Sequence, residues 1–409
     1  MKLGKTLALA LVVPAAARVI IGCANDDFSA SLENVPDGGQ PDAFVAADAS
    51  TEDVADASEL PDGAADGGIP CSPDGFCHTR LPARETFDAG DLAPDLPVSF
   101  DLVDVSVLPG GSAWAVSAGG HVLEWRGEAW SVVHVVSTQL KKVWAATADD
   151  VWIAGNSGFV MHGTRTPGAP MTFEDASIGG FGAILGLAGV DDEVWAYANN
   201  ILYRRVTTED GGGAWAVTAY PFSVPGTSPA AQLTGMWRGP TGQLWLTGRV
   251  YNSCFSGCQY VSRGALWRRT VVDSVVGFEE VPFTTEGISY TGVIAGADRG
   301  GHPVVCIGQP CASVLHVADD GTTTTEKTGL SEGSIEAAWA SGPDDAWLVG
   351  SPGVVRRWNG AEWTYARVTV TSAPVVKPLH AVNGAVSESG VIDMWIVGKD
   401  TALHRTVKP

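Results

Sequence analysis

Cysteine is the residue type in this chain whose chemistry depends most directly on spacing. The chain has seven cysteines, and six of them form close pairs: Cys71/Cys77, Cys254/Cys258 and Cys306/Cys311. A structural zinc site would need two pairs to converge, and no pair has the C-x2-C spacing typical of zinc ligands. In an exported chain, close even pairs predict local disulfides, each worth about 2 kcal/mol by loop entropy.

Histidines and acidic pairs at repeated positions are the other candidates for metal chemistry. Aligning the repeats described below puts these residues in one column: His162, His316, His404, Glu124, Tyr203, Trp267 and Arg356. Each member belongs to a different repeat, which favours packing against a neighbour over a shared metal. The pairs Asp149-Asp150, Asp191-Asp192 and Asp344-Asp345 leave calcium open, but the chain lacks a D-x-D-x-D-G loop and such pairs are common in turns. We therefore expect no metal and no cofactor.

Motifs for catalysis are absent from the sequence, which contains no G-x-S-x-G, no H-E-x-x-H and no phosphate-binding G-x-x-x-x-G-K-[ST] loop. The chain carries 25 Lys+Arg against 46 Asp+Glu, a formal charge of −21. So acidic a protein repels phosphate backbones, which argues against nucleic-acid binding. We therefore predict that the protein is not an enzyme and does not bind nucleic acid.

A repeat centred on tryptophan positions all of these residues. Seven copies lie 38 to 59 residues apart, with anchors at Trp114, Trp152, Trp195, Trp245, Val304, Trp347 and Trp395. Each copy contains four short alternating stretches bounded by Gly, Asn or Asp, the pattern of antiparallel strands. A four-strand unit recurring every 40–50 residues predicts an all-β, seven-bladed β-propeller of four-stranded antiparallel blades. All fifteen tryptophans fall on repeat positions, so we expect them to pack between blades rather than form a sugar-stacking surface.

Closure of the ring needs a strand from outside the last copy. Copy seven ends at ALHRTVKP without a fourth strand, whereas Leu96–Asp101 precedes copy one without a partner. The sequence predicts that Leu96–Asp101 supplies the outer strand of the last blade and removes its exposed edge. The propeller is then residues 96–409, preceded by a short cysteine-containing connector at 71–95.

The N-terminus has the features of an export signal. Lys2 and Lys5 precede the apolar run Thr6–Ala17, which is too short to span a bilayer. Ile20-Ile21-Gly22-Cys23 resembles a bacterial lipobox, which implies a signal peptide at 1–22 and a lipid on Cys23. Two alternatives are cleavage after Ala17 and a retained membrane helix. By family resemblance, Ala24 after Cys23 implies retention at the outer membrane of a Gram-negative cell.

Residues 23–70 follow as an acidic, low-complexity segment. Between Ala24 and Pro70 there are twelve Asp+Glu and no Lys or Arg. Such a composition predicts a disordered linker that charge repulsion extends. We interpret it as a spacer between the lipid anchor and the propeller, with an acidic binding tail as the alternative.

The pattern of Asp345–Trp363 resembles exported bacterial propellers of the BNR/Asp-box-like and tectonin-like kind. The turns Trp358–Trp363 and Trp125–Trp130 are degenerate Asp-box turns that lack the Ser and most of the Asp. That resemblance covers residues 96–409 and implies the fold more strongly than an activity, because such proteins include glycosidases, lectins and envelope assembly factors.

Loops that depart from the repeat are the best candidates for binding, because propeller loops carry function. The longest departures share one rim, and the candidate residues there are Phe181, Tyr251, Asn252, Phe255 and Tyr260. The sequence favours a monomeric, lipid-anchored envelope propeller that binds or scaffolds a protein or glycan without catalysis. The alternatives are a lectin that uses Tyr251 and Tyr260, and a glycosidase or lyase.

Overall fold

A computed structural model describes residues 71–83, 99–180, 182–208, 212–218, 229–252, 262–273, 275–283, 293–307, 310–318, 320–369 and 375–408. The chain divides into two units, Met1–Asp62 and Gly63–Pro409, and all described residues belong to the second. The predicted signal peptide, Cys23 and the acidic linker lie outside the described residues. Within the described ranges, no helix is long and apolar enough to cross a membrane.

The described chain forms seven separate four-stranded antiparallel sheets, which confirms the seven-bladed propeller. Blade one contains β2 (Leu102–Val107), β3 (Ser112–Ser117), β4 (His121–Arg126) and β5 (Trp130–Val135). Blade two contains β6 (Leu140–Thr147), β7 (Asp150–Gly155), β8 (Val160–Thr164) and β9 (Thr172–Asp175). Blade three contains β10 (Ile184–Val190), β11 (Glu193–Ala198), β12 (Ile201–Thr207) and β13 (Gly213–Val217). A 3₁₀ helix, Asn156–Gly158, follows β7.

Blades four to six repeat the arrangement. Blade four contains β14 (Pro229–Arg238), β15 (Leu244–Asn252), β16 (Ser262–Val272) and β17 (Val275–Glu280). Blade five contains β18 (Val293–Arg299), β19 (His302–Ile307), β20 (Ser313–Val317) and β21 (Thr323–Lys327). Blade six contains β22 (Ser334–Gly342), β23 (Asp345–Ser351), β24 (Val354–Trp358) and β25 (Trp363–Tyr365). Blade seven contains β26 (Leu379–Val386), β27 (Ile392–Gly398), β28 (Thr401–Val407) and β1 (Cys77–His78). We call the face where each innermost strand begins the upper face, and the face where it ends the lower face.

Tryptophan packing between blades is confirmed. The six anchor indoles are at most 5% exposed, and Trp114, Trp195, Trp347 and Trp395 are fully buried. Three indoles of the innermost strands pack over a glycine of the next blade: Trp144 on Gly189, Trp237 on Gly296 and Trp339 on Gly384. Because these glycines lack a Cβ, the ring of each tryptophan can lie directly on the neighbouring backbone.

The predicted closing strand is wrong. The outer strand of blade seven is β1, in which Cys77 pairs with His404 and His78 with Leu403. Of the predicted strand Leu96–Asp101, the described part instead reaches the β27–β28 turn, where Asp101 forms an isolated bridge with Lys399. The backbone of Phe100 and Asp101 forms hydrogen bonds with this turn and not along β28. The outer edge of β28 is therefore free to pair with Cys77–His78.

Residues 71–79, which we call the clasp, hold β1 in place. Cys71 and Cys77 form a disulfide, and Phe76 between them is fully buried against Trp347 at a ring distance of 5.4 Å. The Arg405 guanidinium donates to the carbonyl of Asp74 at 3.0 Å. Thr79 donates to the Ala402 carbonyl and accepts from the Trp130 indole at 3.1 Å. The clasp therefore contacts blades six, seven and one.

The aligned third-strand column is also partly wrong. Opposite the anchors lie Glu124, His162, Arg204, Arg268, His316, Arg357 and His404. Tyr203, Trp267 and Arg356 each stand one residue earlier. Since side chains alternate between the two faces of a sheet, a one-residue shift places them on the opposite face.

Candidate functional site

Every innermost strand has an irregularity at the same level near the upper face. The register of each shifts by one residue there, so one extra residue lies opposite no partner. The seven extra residues are Val103, Lys141, Leu185, Thr234, Ile294, Glu336 and His380. Bulges locally disrupt a ladder and re-aim side chains, and they are common beside functional sites. These seven residues, which we call the bulge ring, lie at one level near the upper face, and four of them line the mouth of the central channel: Leu185, Thr234, Glu336 and His380.

The channel is polar on one side. Asp104 accepts a hydrogen bond from the backbone N–H of Val143 at 3.0 Å, and its other oxygen lies 3.6 Å from the Lys142 ammonium. Ser106 accepts from the N–H of Ala145 at 3.0 Å, and Asn383 from that of Val107 at 2.9 Å. A side chain of blade seven thus accepts a hydrogen bond from the innermost strand of blade one, and two side chains of blade one accept hydrogen bonds from the innermost strand of blade two.

The opposite side of the channel is mixed, with apolar side chains beside Thr234, Arg238 and Asp298. Its lining includes Leu187, Ala188, Met236, Ala295 and Ala297 from blades three to five. Leu185 lies at the mouth and is 48% exposed, which is unusual for a leucine beside buried strands. The cavity, which is open to solvent, has a volume of about 240 Å³, below the usual 300–1,000 Å³ of a pocket for a drug-sized ligand. It has room for one small group.

Glu336, His380 and Asp101 form a charged cluster at the mouth. The His380 ring lies between the two carboxylates, with Nδ1 2.6 Å from Glu336 Oε2 and Nε2 3.1 Å from Asp101 Oδ1. The Ser351 hydroxyl donates to Glu336 Oε1 at 2.9 Å. Three blades meet here, because Glu336 belongs to β22, His380 to β26, and Asp101 precedes β2. The cluster can hold a proton on His380 between the two carboxylates.

The carboxylates change how this cluster titrates. Hydrogen bonding to Glu336, together with the charges of Glu336 and Asp101, raises the pKa of His380 above its ordinary value. The hydrogen bond from His380 lowers the pKa of Glu336 in turn. On the neighbouring blade, burial raises the pKa of Asp104, although Lys142 opposes that effect. The ion pair of Glu336 with His380 is therefore favoured near neutral pH.

Blade four extends beyond the ring at the upper face. Five residues of β14, Pro229–Leu233, precede its extra residue, whereas at most two do so in the other blades. Tyr251 and Asn252 end β15 in this extension and pair with Ala230 and Pro229. This places two of the candidate binding residues on the face that carries the channel mouth. Phe181, Phe255, Tyr260 and the Cys254–Cys258 pair lie outside the described residues.

The second predicted disulfide of this rim has a packing role. Cys306 and Cys311 are bonded, and both are at most 1% exposed. They pack with Ile335 and Leu330 in the core between blades five and six. The disulfide therefore lies in the core and offers no surface for contact with a ligand.

Acidic residues and third-strand His or Arg side chains pack together near the lower face. In two of the three acidic pairs, the second acid binds a side chain that lies against the anchor indole: Asp150 binds His162 at 3.0 Å, and Asp345 binds Arg357 at 2.9 Å. Blade three differs, because Glu193 binds Arg204 at 2.9 Å while Asp191 pairs with Arg269 at 3.3 Å. The His162 ring stacks on Trp152 at 4.0 Å, and the Arg357 guanidinium lies 5.3 Å from Trp347. The Arg357 guanidinium and the Trp347 indole stabilise each other in this geometry. Among the described residues, no group of three or more side chains could hold a metal ion.

A second cleft, of about 480 Å³, opens between blades one and two at the lower face. Glu124 lies in its wall with its side chain 3% exposed, and Arg165 binds both of its oxygens, at 3.0 and 2.8 Å. Arg126 contacts the same carboxylate at 2.9 Å. Burial raises the pKa of Glu124 while Arg126 opposes the shift. Arg126 of blade one and Arg165 of blade two both bind this carboxylate, so Glu124 joins the two blades.

The sequence did not predict the bulges in the innermost strands. It therefore did not predict the cluster of Glu336, His380 and Asp101 either. Glu336 and His380 do not belong to any short motif, and 44 residues separate them. One signal was available: an extra residue interrupts the alternation at the start of each innermost strand, as in Ser334–Ala338. Aligning those starts across seven copies would have placed Glu336 and His380 at the same level.

The fold is shared with known propellers, although a scan against protein-family models and a search of curated proteins both give no match. Similar solved structures include YCF48 bound to D1 peptide (16% identity, TM-score 0.55), which covers 84% of this chain and 100% of that chain. Virginiamycin B lyase from Staphylococcus aureus (13%, 0.52) covers 82% and 100%, and U3-55K (10%, 0.52) covers 83% and 100%. At these identities the likeness shows the fold alone.

Proposed function

We propose that this chain is an exported, lipid-anchored propeller that binds a partner with its upper face and does not act as an enzyme. The extension of blade four beside the channel mouth carries this proposal. Among the described residues, blade four has the longest extension of an innermost strand on this face, which makes it the best candidate for specific recognition. Tyr251 and Asn252 lie in that extension.

Charge favours a basic partner. Residues 71–409 contain 22 Lys+Arg and 34 Asp+Glu, a net charge of −12. An acidic surface speeds association with a cationic partner and disfavours acidic ones. A related use of the fold is known, since YCF48 was solved with a bound peptide. We therefore propose a basic exported protein rather than a glycan as the partner.

Site-specific photocrosslinking in the producing cells tests the binding face. A photoreactive phenylalanine replaces Leu185 on the upper face or, as the control, Val272 at the lower end of blade four, which is 66% exposed. We expect an adduct with a basic protein from position 185 and none from position 272. Equal adducts from both positions, or none from either, would contradict the proposal.

The anchor is tested by the intact mass of the protein purified from membranes, compared with a Cys23→Ala variant. The expected mature chain begins at Cys23 and carries additional acyl mass, which the variant lacks. A chain that begins near Arg18 without lipid would overturn the anchor and leave a freely secreted propeller.

A further inference from the structure

Two glycines leave gaps in the wall of the channel. They are Gly186 of blade three and Gly235 of blade four, and each directly follows the bulge residue of its innermost strand. At the same position the other five blades carry side chains: Asp104, Lys142, Ala295, Ala337 and Ala381. Because glycine lacks a Cβ, the residue behind it on the second strand can reach the channel.

Hydroxyl-bearing side chains lie behind these two gaps. The second-strand partner of Gly186 is Tyr197, and that of Gly235 is Thr247. In the other five blades the partner is apolar or a bonded cysteine: Val116, Ala154, Cys306, Val349 and Val397. A Cβ on Gly186 would lie 2.3 Å from the Tyr197 ring, and one on Gly235 would lie 2.6 Å from Thr247 Oγ1. Tyr197 and Thr247 thus fill space that the glycines leave, and both line the channel cavity.

The hydroxyl of Tyr197 has no hydrogen-bond partner among the described residues. The side chain is 2% exposed, and it lines the channel cavity. Burial raises the pKa of Tyr197 above its ordinary value, so the hydroxyl stays protonated at neutral pH and can donate. Thr247, also 2% exposed, accepts from the Thr234 hydroxyl at 3.4 Å. Since a buried hydroxyl without a partner is unfavourable, an oxygen of a ligand in the channel would stabilise Tyr197.

The charged groups of the channel favour a neutral ligand. The lining contains six of them: Asp104, Lys142, Arg238, Asp298, Glu336 and His380. Lys142 lies 3.6 Å from Asp104, and Glu336 lies 2.6 Å from His380. The Asp298 carboxylate accepts from the Trp245 indole at 3.3 Å, and Arg238 is exposed at the lower end of β14. A charged ligand would compete with these pairs, whereas a neutral one leaves them intact.

We infer that the channel binds a small neutral polyol, which forms hydrogen bonds with Tyr197 and Thr247 and packs its C–H groups against Met236. The ligand needs at least two hydroxyls because the two protein hydroxyls belong to different blades. Met236 directly follows Gly235, and its Cβ lies 3.1 Å from the position of a Cβ on Gly186. A volume of about 240 Å³ suits a single sugar-sized ring. The inference goes beyond the proposed partner of the upper face and does not depend on it.

The methyl group of Met236 reports binding by NMR. The full sequence contains five methionines, so methyl-labelled protein gives few resonances, and Met236→Leu assigns the relevant one. The probes are glucose, galactose, N-acetylglucosamine, myo-inositol and glycerol. We expect at least one of them to shift this resonance saturably at millimolar concentration. Charged counterparts of the best probe, such as glucuronate and glucosamine for glucose, should bind more weakly.

Tyr197→Phe tests the hydroxyl directly. It should weaken binding of the best probe about three- to tenfold, the effect of one neutral hydrogen bond. It should leave thermal unfolding unchanged, because the hydroxyl has no partner to lose in the free protein. Tyr203→Phe is the matched control: it makes the same change in the same blade, but Tyr203 lies on β12 and does not line the channel. Thr247→Val should weaken binding in the same way as Tyr197→Phe.

Disaccharides separate a free polyol from the end of a longer glycan. If maltose and lactose shift Met236 as strongly as glucose and galactose, the site accepts a glycan end; a shift by the monomers alone indicates a free ligand. The inference is overturned if no probe shifts Met236, if a charged counterpart binds as tightly, or if Tyr197→Phe and Tyr203→Phe have equal effects on affinity. A crosslink from position 185 in that case would leave the proposed function standing.

Discussion

Removing the Phe76 side chain should loosen the ring at the junction of blades six and seven. This side chain is fully buried in a cluster with Trp347, Leu379 and Leu403. Truncation of a buried phenylalanine to alanine costs about 3–5 kcal/mol through lost transfer energy and the cavity left behind. The pairing of β1 with β28 involves two residue pairs, too few to hold the edge alone. We therefore expect Phe76→Ala to release β1 before the other blades unfold.

Hydrogen exchange followed by mass spectrometry measures that release. In Phe76→Ala, protection should fall at residues 77–79 and in β28, whereas the anchor strands of blades two to five should keep theirs. Phe283→Ala is the control, because Phe283 is half-buried beside blade five and lies far from the clasp in the ring. Uniform loss of protection around the ring, or a stability change below about 1 kcal/mol on denaturant unfolding, would refute the role of the clasp.

Four further outcomes follow from packing and charge. Gly189→Ala should destabilise the protein by about 1–3 kcal/mol, because its Cβ would overlap the Trp144 ring, while Gly342→Ala, with no atom within 4 Å, should be neutral in thermal unfolding. Glu124→Gln should cost about 1–3 kcal/mol in denaturant unfolding, because the buried Arg165 then keeps only the exposed Asp149 as a charged partner, and Glu128→Gln, at an exposed position, should cost little. Trp347→Ala should cost about 3–5 kcal/mol by the same assay. The pKa of His380 is raised and that of Glu336 is lowered, so their pair should stabilise the fold fully between about pH 4.5 and pH 6.5. This stabilisation should decrease as the pH rises through the folded pKa of His380, and also as it falls through the folded pKa of Glu336. Thermal scans of His380→Gln should lack the loss of stability at alkaline pH.

Residues that recur in every copy made the architecture predictable from sequence. Anchors such as Trp114, Trp152 and Trp347 indicated the number of blades, because an indole flanked by alternating small and apolar residues is typical of a buried strand. Their burial is what the repeat predicts. The third strands were less predictable, because the turns before them vary in length and a one-residue error moved Tyr203 and Arg356 to the wrong face.

The clasp could not be found by periodicity. Cys77–His78 is a two-residue strand, too short to show alternation, and its specificity comes from Phe76 and the Cys71–Cys77 loop, which have no counterpart in the repeat. Leu96–Asp101 looks more like a strand and misled the prediction. The channel cluster was hidden for a related reason: a bulge residue is defined by the register of a partner strand, and sequence alone does not give that register.

The junction that closes the ring is also the junction that builds the polar half of the channel. Trp144, Trp237 and Trp339 pack on glycines between blades two and three, four and five, and six and seven. Between blades seven, one and two, directional bonds from Asn383, Ser106 and Asp104 to backbone N–H groups take their place. Such bonds fix the register where the two ends of the ring meet, and apolar packing alone would leave it looser.

Asp101 connects the two functions of this junction. It binds His380 across blades seven and one, and its backbone bridges Lys399 in the turn that precedes β28. The cluster at the mouth is therefore complete only while blade seven is closed against blade one. A loosened clasp, as in Phe76→Ala, should return the pKa of His380, followed by NMR titration, toward its ordinary value, although Phe76 does not line the channel. Glu124→Gln weakens a different junction near the opposite face, and the raised pKa of His380 should survive it at temperatures where the ring stays folded.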